Sequence, residues 1–161
     1  MNWSKLFATQ KKLDDYIEKN NSLQNKDLFD EKVLALIVEL GELANETRSF
    51  KFWSKNKTLD KLAILEEYID GVHFILSLGL EKNYTFEGGP SPVEGRSISE
   101  QFLLLYELII SFKNNPSEEN YHTLFSNYLR LGNLLQLTAE QLQEAYFEKN
   151  EVNFKRQDTG Y

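Results

Sequence analysis

Two short acidic motifs carry the most legible chemistry of this sequence: Glu39-Leu-Gly-Glu42 and, after residues 43 to 66, Glu67-Tyr-Ile-Asp70. In each motif the acids stand three residues apart, so on a helix both carboxylates share one face. Two such helices packed antiparallel bring four carboxylates together. Like charges gathered away from water repel one another and lose hydration, a cost that cations relieve. Cysteine is absent, which leaves oxygen and imidazole as metal ligands. An oxygen-only set of this size suits a hard cation, magnesium with manganese as a substitute, whose shell is completed by water and substrate phosphates. The expected chemistry is cleavage of a phosphate anhydride. Glu pairs at this spacing also decorate solvated helix faces. Here, however, they adjoin Leu40, Leu43, Ile69 and Val72, and Gly41 permits close helix approach at a cost of roughly 1 kcal/mol relative to alanine.

The C-terminal segment supplies the complementary charge. Lys149, Asn153 and Arg156 recur at helical spacing, a face that can donate to phosphate oxygens, bidentately in the case of arginine. Chain ends commonly fray into solvent, but a cationic wall opposite a carboxylate wall is what a bound triphosphate requires. The formal net charge of -7 argues against a partner as large as a nucleic-acid backbone, which needs a broadly positive surface. A small phosphate ligand in a local positive pocket remains compatible with it.

The elements that must hold these residues read as helices. Leu6, Leu13, Tyr16 and Ile17 mark a first helix from Leu6 to Ile17. A second runs from Asp27 to Phe50, with Leu36, Leu40 and Leu43 on its apolar face. A third runs from about Leu59 to Leu80, with the stripe Leu62, Leu65, Ile69, Val72 and Leu76. A Gly/Pro-rich loop at about 85–99 (EGGPSPVEGRS within it) precedes a fourth helix, Ile98 to Phe112. That helix has a broad apolar face (Phe102, Leu103, Leu104, Leu105, Leu108, Ile109, Ile110), which implies burial on more than one side, by a partner subunit for instance. Glu118 to Leu135 makes a fifth helix, and Thr138 with Gln141 forms a capping box that opens a sixth. Nothing alternates with period two. The expected fold is an all-α bundle forming one domain over 1–161, cytoplasmic, with no membrane partner, since no apolar run is long enough to span a bilayer. His73, one turn beyond Asp70, is read as a structural hydrogen-bonding residue, His122 as a surface residue, and Phe50, Phe52 and Phe74 as packing.

Taken together, ELGELANE, FKFW, EEYIDGVHFILSLGL and YFEKNEVNFKRQDTGY resemble the all-α nucleoside triphosphate pyrophosphatases. The acid pattern alone covers that superfamily, including MazG-like and deoxycytidine triphosphate enzymes. The tail K-N-x-x-N-x-x-R-Q-x-x-G-Y is narrower and is similar to that of the dimeric deoxyuridine triphosphatases (dUTPases) of Gram-positive bacteria and their phages, with more distant relatives in trypanosomatids. The resemblance implies a homodimer that converts dUTP to dUMP and pyrophosphate. Glu39, Glu42, Glu67 and Asp70 would hold magnesium, and Glu39 would also activate the attacking water. It further implies that Lys51, Lys149, Asn153, Arg156 and Tyr161 contact phosphates and sugar, while Gln10, Asp14 and Trp53 form the nucleoside pocket. Position 14 departs from the trypanosomatid pattern, Asp14 standing where those relatives carry Asn. Three alternatives stay open on sequence: a dCTP enzyme, a broad-specificity pyrophosphatase, and a non-catalytic helical module that docks on another protein.

Overall fold

The computed structural model describes residues 1–56, 58–92 and 95–160. Among them are six helices and no strand: α1 (Trp3–Asn20), α2 (Phe29–Thr47), α3 (Lys61–Glu81), α4 (Ile98–Asn114), α5 (Glu118–Leu134) and α6 (Ala139–Asp158). The sequence sets most of the starts. Asn2, Asp60, Ser97, Ser117 and Thr138 each accept a backbone N–H from the first turn of the helix that follows. The expected capping box of Thr138 and Gln141 is present, and Ser97 with Glu100 forms another. The second helix stops at Thr47, short of the expected Phe50, because Arg48 adopts a left-handed conformation (φ 55°). No helix is long and apolar enough to cross a membrane among the described residues.

Helix α3 is the central element, packing against α1, α2, α5 and α6. Its buried residues run round most of its circumference, from Ile64 and Tyr68 to Leu78 and Gly79. The stripe read from the sequence is only partly right. Ile69, Val72 and Leu76 are buried, but Leu62, in the first turn, is exposed.

Tyrosine hydroxyls seated over glycines hold α3 against α5. Tyr128 Oη donates to the Tyr68 carbonyl at 2.9 Å, and Tyr68 Oη donates back to the Tyr128 carbonyl at 3.1 Å. A Cβ on Gly71 would lie 2.0 Å from Tyr128 Oη, one on Gly132 2.6 Å from Tyr68 Oη, and one on Gly79 2.3 Å from Tyr121 Oη. The glycines thus make room for buried hydroxyls, each of which finds a backbone carbonyl. The Gly/Pro segment is tied down by Phe86, buried against Trp3 and Phe125, and by Trp3 Nε1 donating to the Gly88 carbonyl.

Candidate active site

Lys32 meets Glu81, and farther along the same two helices Glu39 lies beside Asp70, so α2 and α3 run antiparallel. This is the arrangement the acid motifs require. One carboxylate oxygen from each of Glu39, Glu67 and Asp70 lies within 4.8 Å of the others. Glu42 stands outside that trio. It borders a shallow depression shared with Glu67, Glu46 and Asn45, and its charge still bears on Glu39 and Glu67. Burial, reinforced by Asp70, Glu42 and Glu67, pushes the Glu39 carboxyl up to about 7. Glu39 Oε2 is buried without a hydrogen-bond partner. An orphaned carboxylate oxygen beside two more, with no cysteine in the chain, fits a hard divalent cation.

Lys149 comes to this cluster from α6. Its Nζ donates to Asp70 Oδ2 and to Glu66 Oε1, each at 2.7 Å. Burial works against its charge, but the two carboxylates outweigh that effect and its pKa is raised. Glu66 lies outside both acid motifs, and its adjacency to Glu67 was the only sequence signal for it.

From Glu39 and Asp70 a cavity of about 510 Å³ extends between α1, α2, α3 and α6, a size typical of small-ligand sites. Asn153 and Arg156 line it from α6, the charge of Arg156 bearing on Asp70, and Gln10, Asp14, Lys32 and Ser77 also form part of its wall. The polar groups at this second end hold one another in place. Tyr146 Oη donates to Gln10 Oε1 at 2.8 Å, and His73 Nδ1 contacts the same oxygen at 2.7 Å. An oxygen facing two such groups must be the acceptor for both. The Gln10 amide nitrogen therefore donates to Asp14 Oδ1 at 2.8 Å, while Ser77 Oγ donates to Asp14 Oδ2 at 2.7 Å. Burial drives His73 down to about 3, so the ring is neutral and stacks on Tyr146. The hydrogen-bonding contact expected of it from the sequence is made with Gln10, and His73 also lines the cavity. Burial raises Asp14, against the hydrogen bonds from Ser77 and Gln10.

Of the residues singled out from the sequence, Gln10, Asp14, Glu39, Asp70, Asn153 and Arg156 line this one cavity, and Glu67 and Lys149 lie in the adjoining carboxylate cluster. Lys51 and Trp53 do not join them. Both lie on the α2–α3 connection outside the cavity lining, and Trp53 is 64% exposed. Phe52, read as packing, is 88% exposed on the connection that follows the left-handed cap at Arg48. Tyr161 lies outside the described residues. His122 is half-exposed and its Nε2 meets the Thr85 carbonyl at 2.7 Å. Sequence reading missed Lys32 and Ser77. Both could have been found by following the acid faces: Ser77 lies seven residues beyond Asp70 and Lys32 seven before Glu39, each two turns along the same face.

A family model described as dUTPase matches residues 2–161 of the chain. No curated protein matches it.

Proposed function

The chain belongs to the dUTPase family, hydrolases of dUTP, and on that premise we propose that it cleaves the bond between the α and β phosphates of dUTP to give dUMP and pyrophosphate, with magnesium held by Glu39, Glu42, Glu67 and Asp70. The observation that carries this reading is the meeting of three carboxylate oxygens within 4.8 Å, those of Glu39 and Asp70 on the wall of a cavity that also holds a set of hydrogen-bonded polar groups. Glu39 stands seven positions beyond Lys32 on α2, a rise of about 10 Å. That span accommodates a nucleotide with its phosphates on the carboxylates and its base near Asp14. Magnesium supplies Lewis acidity that draws charge from phosphate oxygens and acidifies water. Glu39 accepts the proton of the attacking water. Attack is in line with the departing pyrophosphate. Arg156 and Asn153 donate to the phosphate oxygens, and Lys149 offsets negative charge at Asp70. Gln10 and Asp14 present an amide N–H and a carboxylate oxygen to the base.

The test is pyrophosphate release from dUTP, dCTP, dTTP and UTP, with magnesium and with EDTA. Rapid release is expected from dUTP with magnesium alone. Release of equal rate from dCTP, or release that survives EDTA, would overturn the assignment of substrate or of metal respectively.

The enzyme is proposed to act as a homodimer. Helices α2 and α4 pack antiparallel, with Phe29 against Phe112 and Tyr106 Oη over Gly41. Leu34, Val38, Leu103 and Ile110 are all exposed on these two helices, and the breadth of α4's apolar face in the sequence calls for a partner subunit on one side. A second copy covering this face would remove those side chains from water. Light scattering at micromolar concentration should give twice the chain mass; a monomer mass would refute the dimer.

A further inference from the structure

The wall of the cavity holds a cation that neither the acid motifs nor the C-terminal helix accounts for. Lys32 borders the cavity together with Gln10 and Asp14, and only 13% of its side chain is exposed. Its Nζ donates to Glu81 Oε2 at 2.7 Å and lies 3.6 Å from Glu18 Oε1. An ammonium has three N–H donors. Glu81 on α3 takes one of them and the charge of Glu18 on α1 holds the ammonium in place, so donor capacity is left for the cavity. The groups at this end therefore divide by kind. Asp14, holding hydrogen bonds from Gln10 and Ser77, offers acceptor capacity, whereas Lys32 can only donate.

A ring edge that meets both must present an acceptor beside a donor. The uracil edge does so, with its 4-oxygen next to N3–H. Cytosine reverses both, placing a 4-amino group before the ammonium and a bare N3 before the carboxylate. We propose that Lys32 is a specificity-determining residue, donating a hydrogen bond to the oxygen at the pyrimidine 4-position and rejecting a 4-amino group there. This rests on the dUTP reading given under Proposed function. Thymine shares the uracil edge, so Lys32 discriminates by the 4-substituent and not by the 5-methyl group.

Lys32→Met keeps the aliphatic stem and removes the donor. The ratio of kcat/KM for dUTP to that for dCTP is expected to fall roughly tenfold or more, mainly through loss on dUTP. Equal loss on both nucleotides would make Lys32 a purely structural link among three helices and overturn the proposal. The wild-type enzyme gives an independent arm that needs no variant to fold. Sulfur accepts hydrogen bonds weakly, so 4-thio-dUTP should lose several-fold more kcat/KM than 2-thio-dUTP. Equal losses would again overturn the proposal. A wild type inert toward dUTP would remove the underlying reading and this proposal with it, whereas an unmoved ratio in an active Lys32→Met enzyme removes this proposal alone.

Discussion

Glu39→Gln should lower kcat on dUTP by about 1,000-fold or more while making the metal-free protein more resistant to heat at pH 8. The loss of activity follows because the amide neither accepts a proton nor carries the charge a divalent cation needs. The stability gain follows from linkage. In the folded chain the Glu39 carboxyl is raised from 4.5 to about 7, first by burial and then by Asp70, Glu42 and Glu67. Between those values the folded state holds a proton that the unfolded state has released. Stability therefore falls as pH rises through that window, and the loss is complete above about pH 7. Glutamine has no proton to give up, so its advantage should be present at pH 8 and vanish below about pH 4.5. Thermal melts in EDTA at pH 4, 6 and 8 measure this, and added magnesium should raise the melting temperature of the wild type more than that of the variant. A variant that melts below the wild type at pH 8 in EDTA would contradict the picture of a strained carboxylate.

Gly71→Ala should cost about 3 kcal/mol and lower Tm by about 10 °C, through overpacking and the loss of one buried hydrogen bond. The new Cβ would lie 2.0 Å from Tyr128 Oη and 2.7 Å from its Cζ. Tyr128 is fully buried, so the ring has no solvent to swing into. One helix must move instead. Asp70 precedes Gly71 directly, and any shift of α3 against α5 displaces a carboxylate of the cluster, so kcat should fall as well. Gly89, with nothing within 4 Å of its added Cβ, is the control, and alanine there should change stability by less than about 0.5 kcal/mol. Equal melting temperatures for the two variants would refute the keyed packing.

Much of the fold was legible because local signals agreed. Side-chain caps at Asp60, Ser97, Ser117 and Thr138 fix where four helices begin, and the leucines at 36, 40 and 43 point the acids of α2 toward α3. The carboxylates were legible for the same reason, since spacing along a helix determines the face. What stayed hidden depends on contacts between helices. The inward turn of Lys32 needs Glu81 and Glu18, which come from two other elements. The recruitment of Glu66 needs a lysine from α6. Apolar residues misled where no helix of the same chain covers them: Leu62 and Phe52 carry core-type side chains at exposed positions. Hydrophobic periodicity reports what a face would bury, not whether a partner arrives to bury it.

The hydroxyls seated over glycines also bear on how this sequence can change. Gly71 with Tyr128, Gly132 with Tyr68, and Gly79 with Tyr121 are six positions that behave as three units of inheritance. A larger residue at any of the glycines is tolerable only after its tyrosine has shrunk, and a lost tyrosine leaves a hollow over a helix with no side chain to fill it. Drift at these sites must therefore pass through pairs of changes whose intermediates are poorly packed. The helix that carries Glu67 and Asp70 is thereby held to its register across generations as firmly as it is within one molecule.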